Sequence, residues 1–471
     1  ELRTLKGLTF YGFFVTLFKA IKCKIVKLER GKMEKHKNGS FTSSIGFVLA
    51  CVGSAVGLGN IWMFPYRLGE YGGAAFLIPY LFFILLFGFV GLSAEFASGR
   101  KVGTGTLGVY AYCFKERKQE KLGKILGWIP LMGSLGIAIG YSIIIGWVLR
   151  YLGASVTNTV LKEDSAEFFA GVTASMKNVP WHMMIVAITV IILLVGAASQ
   201  IEWANKVLMP LFFILFAGLA VRVFFLEGSH EGYRFLFVPN WKALLNVNTW
   251  VMAMGQAFFS LSITGSGMIV YGSYLPKNED IVKSSLQTLI FDTIAALLAA
   301  LAIMPAVFAF GIEPSAGPSL MFITLPNVFK QMPMGRLFSV LFFLSVCFAG
   351  ITSLINMFEA VIESWQNRFK IGRTKSVLLC GAITLLIGLL LEEETRVGNW
   401  MDFITIIIVP FGAVLGAISI YYVLGFDKIK EELELGRKKP LPVIFKPVAK
   451  YVYVPLSIII FILGLIYKGI G

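Results

Sequence analysis

The sequence is poor in charged residues and in the side chains on which most enzymes depend for metal binding or nucleophilic catalysis. Only 15% of its 471 residues are Asp, Glu, Lys or Arg, against about 25% in soluble domains. The three histidines, His36, His182 and His230, lie outside the apolar runs or at their ends, and the five cysteines have no metal-like spacing. No HExxH, GxSxG or paired-acid motif occurs. These absences favour a protein that is not an enzyme.

Apolar residues dominate the chain. They make up 57% of the sequence, and the mean hydropathy is +0.77, which predicts a multi-pass membrane protein in contact with a lipid bilayer. The net charge of +15 is also typical of nucleic-acid binding. The Lys and Arg residues lie in loops between apolar runs, where membrane topology places them, so no nucleic-acid partner is expected.

The spacing of the apolar runs predicts an all-α fold with eleven membrane spans. Basic residues fall on one side of these spans if the N-terminus is cytoplasmic, which puts the C-terminus outside. Short loops and the span count favour a bacterial inner (plasma) membrane. The predicted spans lie near 44–65, 74–98, 124–152, 182–199, 203–225, 248–274, 283–311, 336–365, 375–391, 401–425 and 449–469.

The chain is expected to contain one membrane domain, 41–470, after a cytoplasmic segment, 1–40. Residues 1–32 are basic and mildly amphipathic, which is typical of a segment lying on a membrane surface. The alternative is that they precede a native start at Met33, and this is the interpretation that we favour.

The first span carries glycines where a continuous helix does not need them. In GFVLACVGSAVGLGNIWMFP, Gly53, Gly57 and Gly59 fall within seven residues, and each lowers helix propensity. One interpretation is close packing against a neighbouring helix. The other is a helix broken near Val56–Gly57, whose freed carbonyls bind a cation while the new N-terminus attracts an anion.

A second interrupted segment favours the broken helix. The run GQAFFSLSITGSGMIVYGSY, residues 255–274, has small and polar residues from Ser260 to Gly267 in an otherwise apolar span. Two broken segments in corresponding places indicate a transporter with its site at the membrane midplane. The predicted halves are about 44–225 and 248–425, each beginning with a broken helix, and 449–469 is an extra span.

Polar residues inside the predicted spans extend this hypothesis. Asp292 lies in the seventh span, and hydroxyl and amide side chains lie in the sixth and eighth. Such residues are costly in a membrane and mark functional sites, although Ser and Thr also bond back to their own helix. Carbonyl, hydroxyl and amide oxygens together suit a small hard cation.

These segments resemble the neurotransmitter:sodium symporter family, and in particular its bacterial amino-acid transporters of the leucine-transporter type. The similarity rests on GSAVGLGNIWMFP, EYGGAAFLIPY, GQAFFSLS and FAGITS, in family order, and covers residues from about 40 to 470. It implies an inverted five-plus-five repeat, sodium-coupled symport of an amino acid and alternating access.

The resemblance also implies where the ligands bind. A substrate site is implied at Ala55, Gly59, Ile137, Tyr141, Phe259, Ser260, Ser262, Gly265, Ser353 and Met357. Two sodium ions are implied, one at Gly53, Val56, Ala349, Thr352 and Ser353, and the other at Ala55, Asn60, Ser260, Asp292 and the substrate carboxylate. Charge compensation is implied at Tyr80, Gln256 and Asp292, and an outer gate at Tyr141, Phe259 and Asp402.

The sequence departs from the family pattern at three places. Met63 stands where many members have an arginine paired with the acid at Asp402. The inner ion pair falls on Asn367 and about Asn38, neither of which is charged. Gly265 stands where the leucine transporter has a phenylalanine, which predicts a larger pocket.

These observations predict a symporter for tyrosine, tryptophan, phenylalanine or leucine, with the aromatic residues preferred. Chloride is not expected to be required, because Asp292 supplies a fixed negative charge. The alternatives are an amino-acid sensor of the same fold and a transporter of another small carboxylate. The oligomeric state is not predicted.

Overall fold

The computed structural model describes residues 40–174, 176–311 and 319–468, and the predicted segment before residue 40 lies outside them. The described residues form helices joined by short connections, with no strand among them. The predicted all-α membrane fold is therefore confirmed. The helical spans are Ser44–Ala55 with Gly59–Glu70, Gly73–Val102, Glu120–Thr157, Val179–Val195, Ala198–Phe224, Val247–Ser260 with Gly267–Ser273, Ile281–Ala309, Gly335–Phe369, Arg373–Leu390, Glu394–Glu434 and Phe445–Ile466.

Within the described ranges, eight helices are long and apolar enough to cross a membrane, and the bent pair in the first span makes a ninth. The other two predicted spans are Val179–Val195, with 17 residues, and the interrupted pair Val247–Ser260 and Gly267–Ser273. The count of eleven and the division into two repeats with an extra helix stay predictions.

The two predicted helix breaks are confirmed. The first helix ends at Ala55, Val56 takes an extended conformation with ψ 112°, and the chain resumes after a bend of 61°. The sixth span stops at Ser260 and resumes at Gly267. Between them Ser262 has φ +51° and Gly265 has φ +72°, left-handed values that a helix does not allow.

Burial divides the helices into an interior and an outer layer. Almost all of the apolar stretch of the third span, Glu120–Thr157, is buried, and this span packs along the eighth, Gly335–Phe369. The fifth span, Ala198–Phe224, keeps only 28% of its apolar window inside the protein. Such exposed apolar surface is expected to face lipid, so the fifth span lies at the outside of the bundle. The first half of the broken first span is by contrast mostly buried.

A buried polar chain ties the third and fourth spans to the connection between the ninth and tenth spans. The hydroxyl of Ser142 in the third span lies 2.8 Å from the carbonyl oxygen of Ile139 and 2.9 Å from His182 Nε2. The other nitrogen of His182, Nδ1, lies 2.7 Å from Glu392 Oε1. All three side chains are buried and none lines the central cavity. The serine, histidine and acid therefore link helices rather than face a substrate.

Ion pairs and hydrogen bonds close the end of the molecule where the first span begins. Glu202 of the fifth span accepts from the Thr42 backbone N–H at 2.6 Å and from the Ser43 hydroxyl at 2.7 Å. Arg100 donates to Glu432 at 2.6 Å. These contacts hold the first half of the first span against the fifth span and the second span against the helix that ends at Glu434.

Candidate functional site

A cavity of 590 Å³ lies where the two helix breaks meet. It extends from the break in the first span to the beginning of the tenth span, around Glu394–Asp402, and its lining is mainly apolar. The size falls within the range of about 300–1,000 Å³ that is typical of small-molecule sites. Nine of the ten predicted substrate residues line it: Ala55, Gly59, Ile137, Tyr141, Phe259, Ser260, Ser262, Ser353 and Met357.

The residues predicted for one sodium ion converge on the hydroxyl of Ser353. Its Oγ lies 3.1 Å from each of three carbonyl oxygens, those of Gly53, Val56 and Ala349. The Thr352 hydroxyl lies 2.9 Å from the Ala349 carbonyl. The single hydroxyl proton of Ser353 cannot form hydrogen bonds to all three carbonyl oxygens at once. The cluster therefore contains oxygen lone pairs that no hydrogen occupies. A small hard cation fits this oxygen set.

The residues predicted for the other sodium ion form a second cluster around Asp292. The carboxylate accepts from Asn60 Nδ2 at 2.9 Å and from the Ser260 hydroxyl at 2.6 Å. Asn60 Oδ1 accepts from the Gly57 N–H at 3.1 Å, which fixes the orientation of the amide because a backbone N–H only donates. The second lone pair of this oxygen remains for an ion, and Ala55 lines the cavity beside the cluster.

The residues predicted for charge compensation lie behind this cluster. Gln256 donates to the Gly59 carbonyl at 3.4 Å and accepts from Arg67 at 3.3 Å. Tyr80 is fully buried, and the burial of Asp292 is equally complete. A charged carboxylate in such surroundings needs a positive partner. A cation bound at Asn60 and Ser260 would supply that charge.

Tyr141 and Phe259 fit the first break closely. The Tyr141 hydroxyl accepts from the Leu58 N–H at 3.2 Å, and a Cβ at Gly57 would lie 2.8 Å from that hydroxyl. A Cβ at Gly59 would lie 3.0 Å from the Phe259 ring. Glycine at both positions lets these aromatic side chains approach the broken backbone.

Gly265 does not lie where the sequence suggested. It is absent from the cavity lining, and a Cβ there would lie 2.5 Å from the Gly412 carbonyl and 2.9 Å from the Tyr110 hydroxyl. Its N–H donates to Glu95 at 2.7 Å. The left-handed φ turns position 265 toward the tenth span, so the prediction that Gly265 enlarges the pocket is wrong.

The outer and inner ends differ from the predicted ion pairs. Met63 and Asp402 both line the cavity, whereas Arg67, one turn beyond Met63, donates to Gln256. At the inner end Asn38 lies outside the described residues. There Glu359 accepts from Arg373 at 2.8 and 2.9 Å and from the Tyr274 hydroxyl at 2.5 Å.

The sequence reasoning missed several residues near the site. The outer half of the cavity includes residues that no motif marked: Glu394, Thr395, Val397, Gly398, Asn399, Met401, Thr405 and Ile406. Asn205, on the fifth span, contacts Gly53. Asn205 carried a usable signal, since it is a polar residue in an apolar span. The outer residues carried none.

Comparison with known proteins identifies the class. The profile described as "Sodium:neurotransmitter symporter family" matches residues 38–170 and 170–468. The chain belongs to this family and is a sodium-dependent membrane transporter, not an enzyme.

Individual relatives agree. The sodium-dependent transporter YhdH of Bacillus subtilis is 33% identical over 92% of this chain and 99% of its own length. A sodium-dependent transporter of Methanocaldococcus jannaschii, MJ1319, is 30% identical over 84% of this chain and 85% of its own length. The crystal structure of MhsT in complex with L-phenylalanine superposes with a TM-score of 0.80, at 30% identity, over 91% of this chain and all of that one.

Proposed function

We propose that this chain is a symporter that couples two sodium ions to the uptake of an amino acid by alternating access. The observation that carries the proposal is the cavity between two broken helices, with an oxygen cluster at Ser353 and another at Asp292. Both clusters adjoin the cavity, because Ser353, Asn60 and Ser260 line it. An ion in either cluster would lie close to a substrate, which is the arrangement that coupling requires.

The polar end of the cavity suits the backbone of an amino acid. The Tyr141 hydroxyl already accepts from Leu58 and keeps its own proton to donate to a carboxylate. The resumed helix after the first break begins at Gly59, and its positive end favours the same carboxylate. The carbonyls freed at the breaks accept from an α-amino group. Ile137, Phe259 and Met357 surround the space that is left for the substrate side chain.

The direction in which the cavity extends supports an outward-facing state of the transporter. The cavity reaches Asp402 at the tenth-span end, while Glu202, Glu359 and Arg373 close the opposite end. With the N-terminus in the cytoplasm of a bacterial cell, the open end faces outward and the C-terminus is extracytoplasmic. Tyr141 and Phe259, next to the first break, are placed to close over a bound substrate.

We further propose that the substrate is large and apolar, with tyrosine, tryptophan and phenylalanine preferred to leucine. Gly265 no longer supports this preference. The support is the cavity volume of 590 Å³ with a mainly apolar lining, because filling apolar space is favourable, and the phenylalanine bound in the structure of MhsT.

Asp292 supports chloride-independent transport. Its carboxylate is buried and already hydrogen-bonded to Asn60 and Ser260. The charge of a sodium ion at that cluster is balanced by this fixed anion. A mobile chloride is then not needed.

The decisive experiment is uptake of labelled phenylalanine into proteoliposomes under an inward sodium gradient, with choline as the matched control. Concentrative uptake is expected with sodium and not with choline. Unlabelled aromatic amino acids are expected to compete with the labelled phenylalanine more strongly than leucine does. Sodium-dependent binding without uptake would identify a sensor. Uptake of a carboxylate lacking an α-amino group, with no competition by amino acids, would identify the other alternative.

A further inference from the structure

Asn205 of the fifth span is a buried amide whose oxygen has no hydrogen-bond partner among the described residues. Its Nδ2 donates to the Ile201 carbonyl one turn earlier, at 2.8 Å. That bond fixes the orientation of the amide, because a carbonyl accepts only from the nitrogen. Oδ1 is therefore the atom that faces away from the fifth span.

This oxygen points at the α-carbon of Gly53. A Cβ at position 53 would lie 1.8 Å from Asn205 Oδ1 and 3.0 Å from Thr352 Cβ. Asn205 and Thr352 therefore approach Gly53 on the same side, and only a glycine admits them both. The carbonyl of Gly53 is one of the three that surround Ser353 Oγ at 3.1 Å.

The oxygen cluster at Ser353 is thus bordered by three helices. The first supplies the Gly53 and Val56 carbonyls, and the eighth supplies Ala349, Thr352 and Ser353. The fifth contributes Asn205, whose free atom is an oxygen, the donor type that a hard cation prefers. A buried acceptor without a partner is costly, and an ion beside it removes that cost.

We propose that Asn205 Oδ1 is a ligand of the sodium ion at this cluster, reached from the fifth-span side. The inference rests on the proposed sodium site. It adds a side-chain ligand on a third helix, so that the affinity for sodium depends on how closely the first span packs against the fifth. The contacts of Glu202 with Thr42 and Ser43 hold the same two helices together.

The competing explanation is packing. A Cα–H group of Gly53 can donate weakly to the amide oxygen, and Asn205 would then serve only to fill space between the helices. The two explanations differ in what a side chain of the same shape without an oxygen would do.

The test measures binding of ²²Na⁺ to the purified full chain without any amino acid. Under these conditions the other cluster lacks the substrate carboxylate and contributes little. Asn205→Leu, which keeps the shape, is expected to lower sodium affinity by about tenfold or more. Asn205→Asp, which keeps an oxygen, is expected to bind at least as tightly as the wild type at pH 8. If the Asn205→Leu variant does not fold, Asn205→Ala is measured in its place.

Asn178 provides the matched control. It is equally buried and its Oδ1 also lacks a partner among the described residues, but it lies beside Glu392. Asn178→Leu is expected to leave sodium affinity unchanged. Wild-type affinity in both Asn205→Leu and Asn205→Ala, or equal weakening by Asn205→Asp, would overturn the proposal.

The outcomes separate the two levels of inference. A wild-type chain that binds no ²²Na⁺ would overturn the proposed sodium site itself, and with it this ligand. A wild type that binds sodium, together with a Ser353→Ala variant that binds it about tenfold more weakly, would support the site, and the Asn205 variants then decide the ligand alone. Coupling between Asn205→Leu and Ser353→Ala is expected to be non-additive, because both residues act on one ion.

Discussion

Tyr274, just beyond the end of the sixth span, donates a 2.5 Å hydrogen bond to Glu359 in the eighth, and the same carboxylate holds Arg373 in two contacts. Glu359 is buried. A single acid therefore joins the sixth, eighth and ninth spans at the closed end of the molecule. We expect this acid to hold that end closed, since the positions of the family's inner ion pair, Asn367 and about Asn38, are uncharged.

We expect Tyr274→Phe to open this end. A hydrogen bond to a charged group contributes about 1.5–3 kcal/mol, so its loss should raise the population with an open inner end roughly tenfold or more. The measurement is alkylation of Cys51, a buried native thiol in the first span, mapped by mass spectrometry. Tyr271→Phe is the control, since Tyr271 is buried in the same segment and, among the described residues, the hydrogen bonds to Glu359 come from Tyr274 and Arg373 and not from Tyr271. Equal alkylation in the two variants would show that Glu359 does not control closure.

We expect Ser353→Ala to weaken the sodium dependence of transport. The substitution removes one oxygen from a cluster of five, so half-maximal uptake should need on the order of tenfold more sodium. Ser345→Ala is the control on the same helix, because among the described residues the hydroxyl of Ser345 donates only to the Leu341 carbonyl, at 2.6 Å. Sodium titrations that coincide for the two variants would remove Ser353 from the site.

We expect replacement of chloride by gluconate to leave wild-type uptake unchanged and Asp292→Asn to impair it. The Asn side chain lacks the negative charge with which Asp292 balances the sodium ion, and chloride should partly restore uptake in that variant. Uptake with and without chloride in both proteins is the measurement. Collapse of wild-type uptake in gluconate would contradict the role given to Asp292.

We expect Gly265→Ala to destabilise the protein more than it alters substrate choice. The added Cβ meets the Gly412 carbonyl at 2.5 Å in a left-handed backbone, and such strain costs about 1–3 kcal/mol. Gly103→Ala is the matched control, because Gly103 has φ +69° and open space around its Cβ. Thermal unfolding in detergent should therefore fall further for Gly265→Ala than for Gly103→Ala. A shifted ratio of aromatic to leucine uptake, without loss of stability, would restore Gly265 to the pocket.

The sequence alone determined the membrane class and both helix breaks. Gly57 and Gly59 lower helix propensity locally, and Ser260 to Gly267 interrupt an apolar span, so the signal for each break lies within a few residues of it. It also identified the oxygen-bearing residues Asn60, Asp292 and Ser353, because polar groups stand out in apolar spans.

Only the tertiary structure decided where individual side chains point. In a helix, the spacing of residues along the sequence gives the direction of their side chains. Between Ser260 and Gly267 that direction depends instead on backbone angles such as φ +72° at Gly265, which the spacing does not encode. The contacts of Asn205 with Gly53 and of Tyr274 with Glu359 join residues that are far apart in the chain. Such contacts depend on how the helices pack, and a single sequence does not specify that packing.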